Sequence, residues 1–216
     1  MAKRFQHLIG GAGVVLDGLY LYGNVAGATG GGISAVNLVT EGYLRNLLVR
    51  DNEAGTLGGG LAFTGSAAGI VVANSDFVSN TAPGEGAGVA IDVDEAAGLY
   101  LWSNLVVWSD GASGAYSRAG NGASVAYTIA YATTSGTDLA VAAGEDGGEN
   151  LVEDPLFRVY SNNDTPDNDD FSLAGGSPAR NSGPTDGTGP AAYSTWSDTD
   201  GSRNDRGATG GPGATP

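Results

Sequence analysis

The 216-residue chain has no cysteine, one methionine, one lysine and one histidine. Without cysteine, disulfide frameworks, Cys-ligated zinc, thiol nucleophiles and thioether-bound haem all drop out. The single imidazole, His7, leaves no pair for a histidine metal site and lies ahead of the repeats described below. Basic side chains are scarce: nine Lys and Arg stand against 24 Asp and Glu, a net charge of −15. A surface that negative repels phosphate backbones, so no nucleic-acid partner is expected. No run approaches the roughly 18 apolar residues of a membrane-spanning helix, so no membrane span is expected. Neither a G-x-S-x-G elbow nor a phosphate-binding loop is found, and the Gly runs precede strands instead of helices, which excludes dinucleotide binding.

What the chain has in abundance is glycine, 38 residues, with no strict Gly-X-Y period that would signal collagen. At 41% hydrophobic residues it is too apolar to be disordered throughout. Gly, Ala, Ser, Thr, Asn and Asp with almost no Lys suit an extracellular or cell-surface protein. Met1 to Ile9 is basic at its start but lacks the apolar stretch of a complete signal peptide, so this chain is expected to carry no leader.

Self-similarity decides the fold. Gly30-Gly31-Gly32-Ile33 recurs as Gly58-Gly59-Gly60-Leu61 and as Gly86-Ala87-Gly88-Val89, each step being 28 residues. Asn24, Asn52 and Asn80 keep the same step, and Asn46 and Asn74 are followed, two residues late, by Asn104. Apolar runs of three to six residues alternate with Gly, Asn, Asp and Ser, which is strand-and-turn punctuation with no helical period. Four apolar columns follow: Val15, Tyr43, Val71, Leu99; Leu21, Val49, Phe77, Leu105; Ile33, Leu61, Val89; and Ala35, Phe63, Ile91. One equivalent apolar residue per unit is what a stack of parallel coils requires. A propeller blade needs some 40 residues and a leucine-rich repeat needs its spaced leucines. The expected fold is therefore all-β: a single-stranded right-handed parallel β-helix, or solenoid, with coils of about 28 residues. The Asn column is expected to serve the turns, where Gly and Asn tolerate positive φ, with a ligand-binding ladder as the alternative.

The pairing of Gly31-Gly32-Ile33 with Phe77-Val78-Ser79-Asn80 resembles the repeats of polymorphic outer-membrane proteins. More broadly, residues 11–110 are similar to right-handed β-helix repeats of bacterial surface proteins in the pectate-lyase-like superfamily. Asp154-Pro155-Leu156-Phe157, Asp170-Phe171-Ser172-Leu173, Gly176 to Gly183 and Asp198 to Ala208 resemble the end of many such proteins, with Arg180-Asn181 where an acidic residue is usual. The resemblance implies the fold. For activity it implies a range, from lyases and hydrolases to adhesins and passive stalks.

The β-helix is expected over residues 1–183, with a Gly/Pro/Asp-rich tail over 184–216 packing on or capping the last coil. Asp92 and Asp94, at i and i+2 beside inward Ile91 and Val93, put two carboxylates on one outer face and are the weak catalytic candidates. Asp198-x-Asp200-Gly201 with Asp205 has the alternating carboxylates and the glycine of a calcium loop, but position twelve is Thr209 instead of a bidentate Glu. Ca²⁺ is thus the one cofactor expected, with Asp164, Asp167, Asp169 and Asp170 a second acidic cluster. Tyr100, Trp102 and Trp108 are the candidate ligand surface, open either to a polysaccharide or protein partner or to the chain's own tail. Phe5, Leu8 and Ile9 are too few for a capping helix, so the first coil is expected to be covered by something outside this chain or by another copy of it, that is, by self-association through the N-terminal face. The functional expectation is a non-catalytic extracellular β-helix module of a bacterial surface protein, adhesive or structural. The alternatives are a polysaccharide lyase or glycoside hydrolase, and a self-assembling fibre subunit.

Overall fold

The computed structural model describes residues 8–9, 13–161, 168–190, 195–212 and 214, with side chains omitted at 8, 9 and 40. Phe5, His7, Asp164, Asp167 and Tyr193 lie outside the described residues. Short β-branched and aromatic runs between turn residues form strands, as the sequence pattern requires. They pair in parallel with the equivalent run one coil on, giving a β-solenoid of about five turns with a step of roughly 28 residues.

Each coil contributes to two sheets. In the first, β1 (Leu8–Ile9) and β2 (Val14–Asp17) pair with the long β5 (Ile33–Arg45), and β5 pairs with β8 (Leu61–Ala73). From β8 the sheet divides into two branches. One runs through β10 (Val89–Glu95), β13 (Ser113–Ser117) and β16 (Thr137–Val141). The other runs through β11 (Tyr100–Trp102), β14 (Ser124–Ala126) and β17 (Asp146–Gly148). The second sheet stacks β3 (Tyr20–Tyr22), β6 (Leu48–Arg50), β9 (Asp76–Val78), β12 (Leu105–Val107) and β15 (Ile129–Tyr131). A short corner column starts with β4 (Val25–Ala26) on β7 (Glu53–Ala54) and continues as single bridges through Thr81 and Asp110. The stack ends where Ile129 bridges Leu151. The antiparallel pair β18 (Phe157–Val159) and β19 (Asp170–Leu173) then leaves it.

Two of the expected columns are observed as written: Ile33–Leu61–Val89 and Ala35–Phe63–Ile91. The other two hold for three coils and then slip by one residue. Val93 lies opposite Gly65 but Glu95 lies opposite Ser66, so Asp94 is an extra residue, a β-bulge. Side chains alternate with period two, so one inserted residue exchanges inside for outside in everything that follows. Phe77 consequently stacks on Val106, while Leu105 stacks on Asp76 and faces outward. The column through Val15, Tyr43 and Val71 continues to Tyr100, not Leu99, and it too faces outward, with Val15 60% exposed. The inward line beside it is Leu16, Leu44, Val72, Leu101 and Val125. At the N-terminal end Leu21 has no exposure and Leu16 only 9%.

The Asn column is a buried ladder. Asn24 donates from both N and Nδ2 to Asn52 Oδ1 (3.0 and 2.8 Å), and Asn52 does the same to Asn80 Oδ1 (3.0 Å each). Asn52 Nδ2 also reaches Leu21 O, and Asn80 Nδ2 reaches Val49 O. The positive φ needed at this turn belongs to the preceding residue: Gly23, Asp51, Ser79, Trp108 and Ala132 are all left-handed. The Asn side chains satisfy backbone groups that the turn would otherwise bury unpaired.

Outward apolar residues of both sheets are covered by the C-terminal region. Trp196, with no exposure, packs on Val71 and Ala73, while Leu173 and Ala179 pack on Leu105 and Ile129. Arg206, 2% exposed, ties this segment down by donating to Ser182 O (3.1 and 2.9 Å) and Glu149 O (2.8 Å).

Two substitutions test the stack. Phe77→Ala empties an inward position without exposure and is expected to cost about 3–5 kcal/mol in a urea melt. Asn52→Ala leaves the buried Asn24 N and Nδ2 donors without their acceptor and takes the Nδ2 donor from Asn80 Oδ1 and Leu21 O, and is expected to cost roughly 2–4 kcal/mol. A loss under about 1 kcal/mol in both would contradict the inward placement of Phe77 and the ladder.

Candidate functional site

The candidate residues fall at separate places on the solenoid. Asp92 and Asp94 lie on the outer face of β10, as expected, with side chains 38% and 82% exposed. Arg118 spans them, its Nη1 2.7 Å from Asp94 and 3.9 Å from Asp92. The pair is thus charge-compensated by a guanidinium from the next coil.

Tyr100 and Trp102 alternate with buried Leu101 and face outward from β11. Trp196 from the tail stacks on Trp102, with ring centres 6.0 Å apart and planes at 26°, and Tyr100 meets the edge of Trp102 at 6.1 Å. Trp102 Nε1 donates to Ser124 Oγ. Trp108 belongs to the other sheet's turn and stacks on Tyr160 at 4.0 Å and 10°. The three aromatics therefore make two packed clusters on different faces, each joined to the C-terminal third of the chain.

Asp198, Asp200 and Asp205 each engage backbone amides. Asp198 accepts from Asp205 N (3.1 Å) and Gly211 N (2.6 Å), Asp200 from Ser202 N (2.8 Å), and Asp205 from Asn181 N (2.6 Å). Burial raises the pKa of Asp198 and of Asp205, against the lowering pull of those amides, while the Ser202 hydrogen bonds lower that of Asp200. Among the described residues no three His, Cys, Asp or Glu side chains converge as a metal site. The loop's carboxylates act here as turn organisers, shaping the tail that carries Trp196.

Two charged residues carry more of the structure than their sequence contexts suggest. Arg50, at the end of β6, has a side chain 1% exposed and donates to Asp51 (2.5 Å) and to Asp169 (2.7 Å), whose own side chain has no exposure. Its guanidinium lies 5.6 Å from the Tyr22 ring and 5.2 Å from that of Phe171. Burial disfavours both charges, but the hydrogen bonds prevail: the Arg50 pKa is raised and the Asp169 pKa is lowered. This ion pair pins the β18–β19 hairpin to the solenoid. Asp76, at the start of β9 and 1% exposed, has no such cation among the described residues. Burial pushes its carboxyl up to about 7, opposed only by the N–H of Ala208, which donates to Oδ1 at 2.9 Å. The signal available for Asp76 is its place between Ser75 and the inward Phe77. It becomes legible only once the outward face is known to be covered.

A groove of about 690 Å³ runs along the corner column. Its floor is small and buried, Ala54 and Ala82, and its rim carries Glu53, Thr81, Asp110 and Ser135 from successive coils.

No protein-family model, curated protein or solved structure matches this chain.

The Asp76 carboxyl sets a pH dependence of defined sign. Its folded pKa, about 7, lies above the ordinary 3.8, so the folded state holds the extra proton between those values. Stability is therefore expected to fall as pH rises from about 4 to 7, by on the order of a few kcal/mol. Asp76→Asn, whose amide oxygen can still accept the Ala208 N–H, should flatten most of that slope and raise the melting temperature at pH 8. Melts that decline equally steeply in both proteins would refute the assignment. Asp169, held low, loses its contribution only below about pH 4, so the two effects are separable.

Proposed function

We propose that this chain is a non-catalytic β-solenoid module that works at the cell surface or outside the cell, adhesive or structural, holding an extended polysaccharide along its corner groove. The observation that carries the reading is that groove. A rigid, parallel column presents a carboxylate at Glu53, a hydroxyl at Thr81, a carboxylate at Asp110 and a hydroxyl at Ser135 along one line. Successive coils are about 4.8 Å apart, so a polymer lying along the stack meets a polar side chain at every step. Small residues on the floor let such a chain lie close, and the fixed coil spacing avoids an ordering cost on binding. The acidic rim favours neutral or amino-bearing polymers over acidic ones. The sequence likeness to polymorphic outer-membrane-protein repeats and to pectate-lyase-like surface solenoids supports the surface setting. The Arg118-compensated Asp92 and Asp94 support a binding role over acid–base chemistry on that face.

A glycan array covering neutral, amino-bearing and acidic polysaccharides tests the reading. Binding to a neutral or amino-bearing polymer is expected. Thr81→Lys, which lays a long cation across the middle of the column, should weaken it at least tenfold while leaving the melting temperature close to wild type. Release of shortened products on incubation, or binding indifferent to Thr81→Lys, would overturn the proposal.

A further inference from the structure

A second cleft, about 380 Å³, opens where the hairpin and the tail meet the second sheet. Tyr20 and Leu48 form one wall, Phe171 faces them from the hairpin, and Ala208 closes the end. Besides Asp169, which is held by Arg50, two buried acceptors line it. One is Asp76, whose carboxylate takes the N–H of Ala208 although such a group can accept about four hydrogen bonds. The other is Asn46, 8% exposed, whose Nδ2 donates to Asp17 while its Oδ1 meets no donor.

The place of Asn46 in the stack says what this cleft is. Gly18, Asn46, Asn74, Ser103 and Tyr127 occupy one left-handed turn position, coil after coil. At Asn74 and Ser103 the tail fills the groove: Asn204 Oδ1 accepts from both side chains, and Gly207 N donates to Ser103 O. At Asn46, one coil nearer the N-terminus, Oδ1 is without a donor among the described residues, as Asn74 Oδ1 also is, and here it shares the cleft with the buried Asp76. The buried capacity left over at Asp76 and Asn46 is for donors, and Tyr20, Leu48 and Phe171 supply apolar wall beside the polar Asp169, Asp170, Ser172 and Thr209.

We infer that this cleft binds a small organic ammonium ion, with the N–H groups directed at Asp76 and Asn46 and the alkyl body against Leu48, Tyr20 and Phe171. An ammonium brings three donors and one positive charge, which matches an unpaired carboxylate plus one amide oxygen. Calcium needs six to eight converging oxygens, and among the described residues no three carboxylates converge to hold a metal ion. The other charged groups around Asp76 do not fill the role. Arg50 is committed to Asp51 and Asp169, and Asp170 accepts from the Ser172 N–H and hydroxyl. From the tail, Asp205 accepts from Asn181 N, and the Tyr20 phenol, its pKa raised by burial, stays neutral. Aromatic faces at Tyr20 and Phe171 add cation–π attraction.

The test is a titration of the intact chain at pH 8 with n-butylammonium chloride, followed by the backbone amide signals and the melting temperature at constant ionic strength. A saturable shift of the Ala208 amide with a rise in melting temperature is expected, with n-butanol giving neither. Asp76→Asn should weaken binding at least tenfold. Asn46→Gly, which suits the left-handed backbone and removes the acceptor, should weaken it several-fold without unfolding. Three outcomes would overturn the inference: no saturable shift in the wild-type chain, equal affinity in Asp76→Asn, or a response to CaCl₂ that butylammonium does not reproduce.

Discussion

Everything in this molecule depends on parallel backbone pairing between one coil and the next. That pairing forces each residue onto its counterpart about one coil away, so a side chain's environment is set by the residues above and below it more than by its sequence neighbours. Apolar residues must then come in columns, and buried polar residues can bond one another along a column. Asn24, Asn52 and Asn80 show this at work, since Asn24 donates to Asn52 and Asn52 to Asn80. The same constraint holds Ser79, Trp108 and Ala132 in a left-handed conformation that each would avoid alone.

A second consequence concerns the outside. The two sheets carry apolar residues outward as well as inward, among them Val71, Leu105 and Ile129, and water would meet them if the chain ended with its coils. The C-terminal region answers this as a fitted cover. Trp196 lies on Trp102, Arg206 reaches Ser182 and Glu149, and Arg50 with Asp169 pins the hairpin. Where the cover stops, a buried carboxylate and an orphan amide oxygen remain, so the chemistry of the second cleft follows from the packing that made it.

The fold class was legible because a repeat advertises itself: three Gly-rich runs and three Asn residues on one step already imply stacked coils. Register was legible only up to the bulge. Asp94 adds one residue to a strand whose alternation looks uninterrupted, and nothing in Ile91-Asp92-Val93-Asp94 marks it, so Leu105 reads as the partner of Phe77 when Val106 is, and Leu99 as the partner of Val71 when Tyr100 is. Candidate side chains were recognised as outward-facing at Asp92, Asp94, Tyr100 and Trp102, because strand alternation fixes direction. What covers them was not legible, because Trp196 reaches Trp102 through a tail with no period to follow. Arg50 and Asp76 were missed for the same reason: their burial is imposed by segments more than a hundred residues away.

The register change at Asp94 offers the most direct check on the account as a whole. Nuclear Overhauser contacts from the Phe77 ring, measured in a methyl-labelled sample, report which residue of β12 lies above it inside the solenoid. Contacts to Val49 below and Val106 above are predicted, with the Leu105 methyls seen instead against Ile129 and Leu173. A Phe77 ring in contact with Leu105 in an interior column, and no contact between Leu105 and Leu173, would contradict both the bulge and the covered outer face.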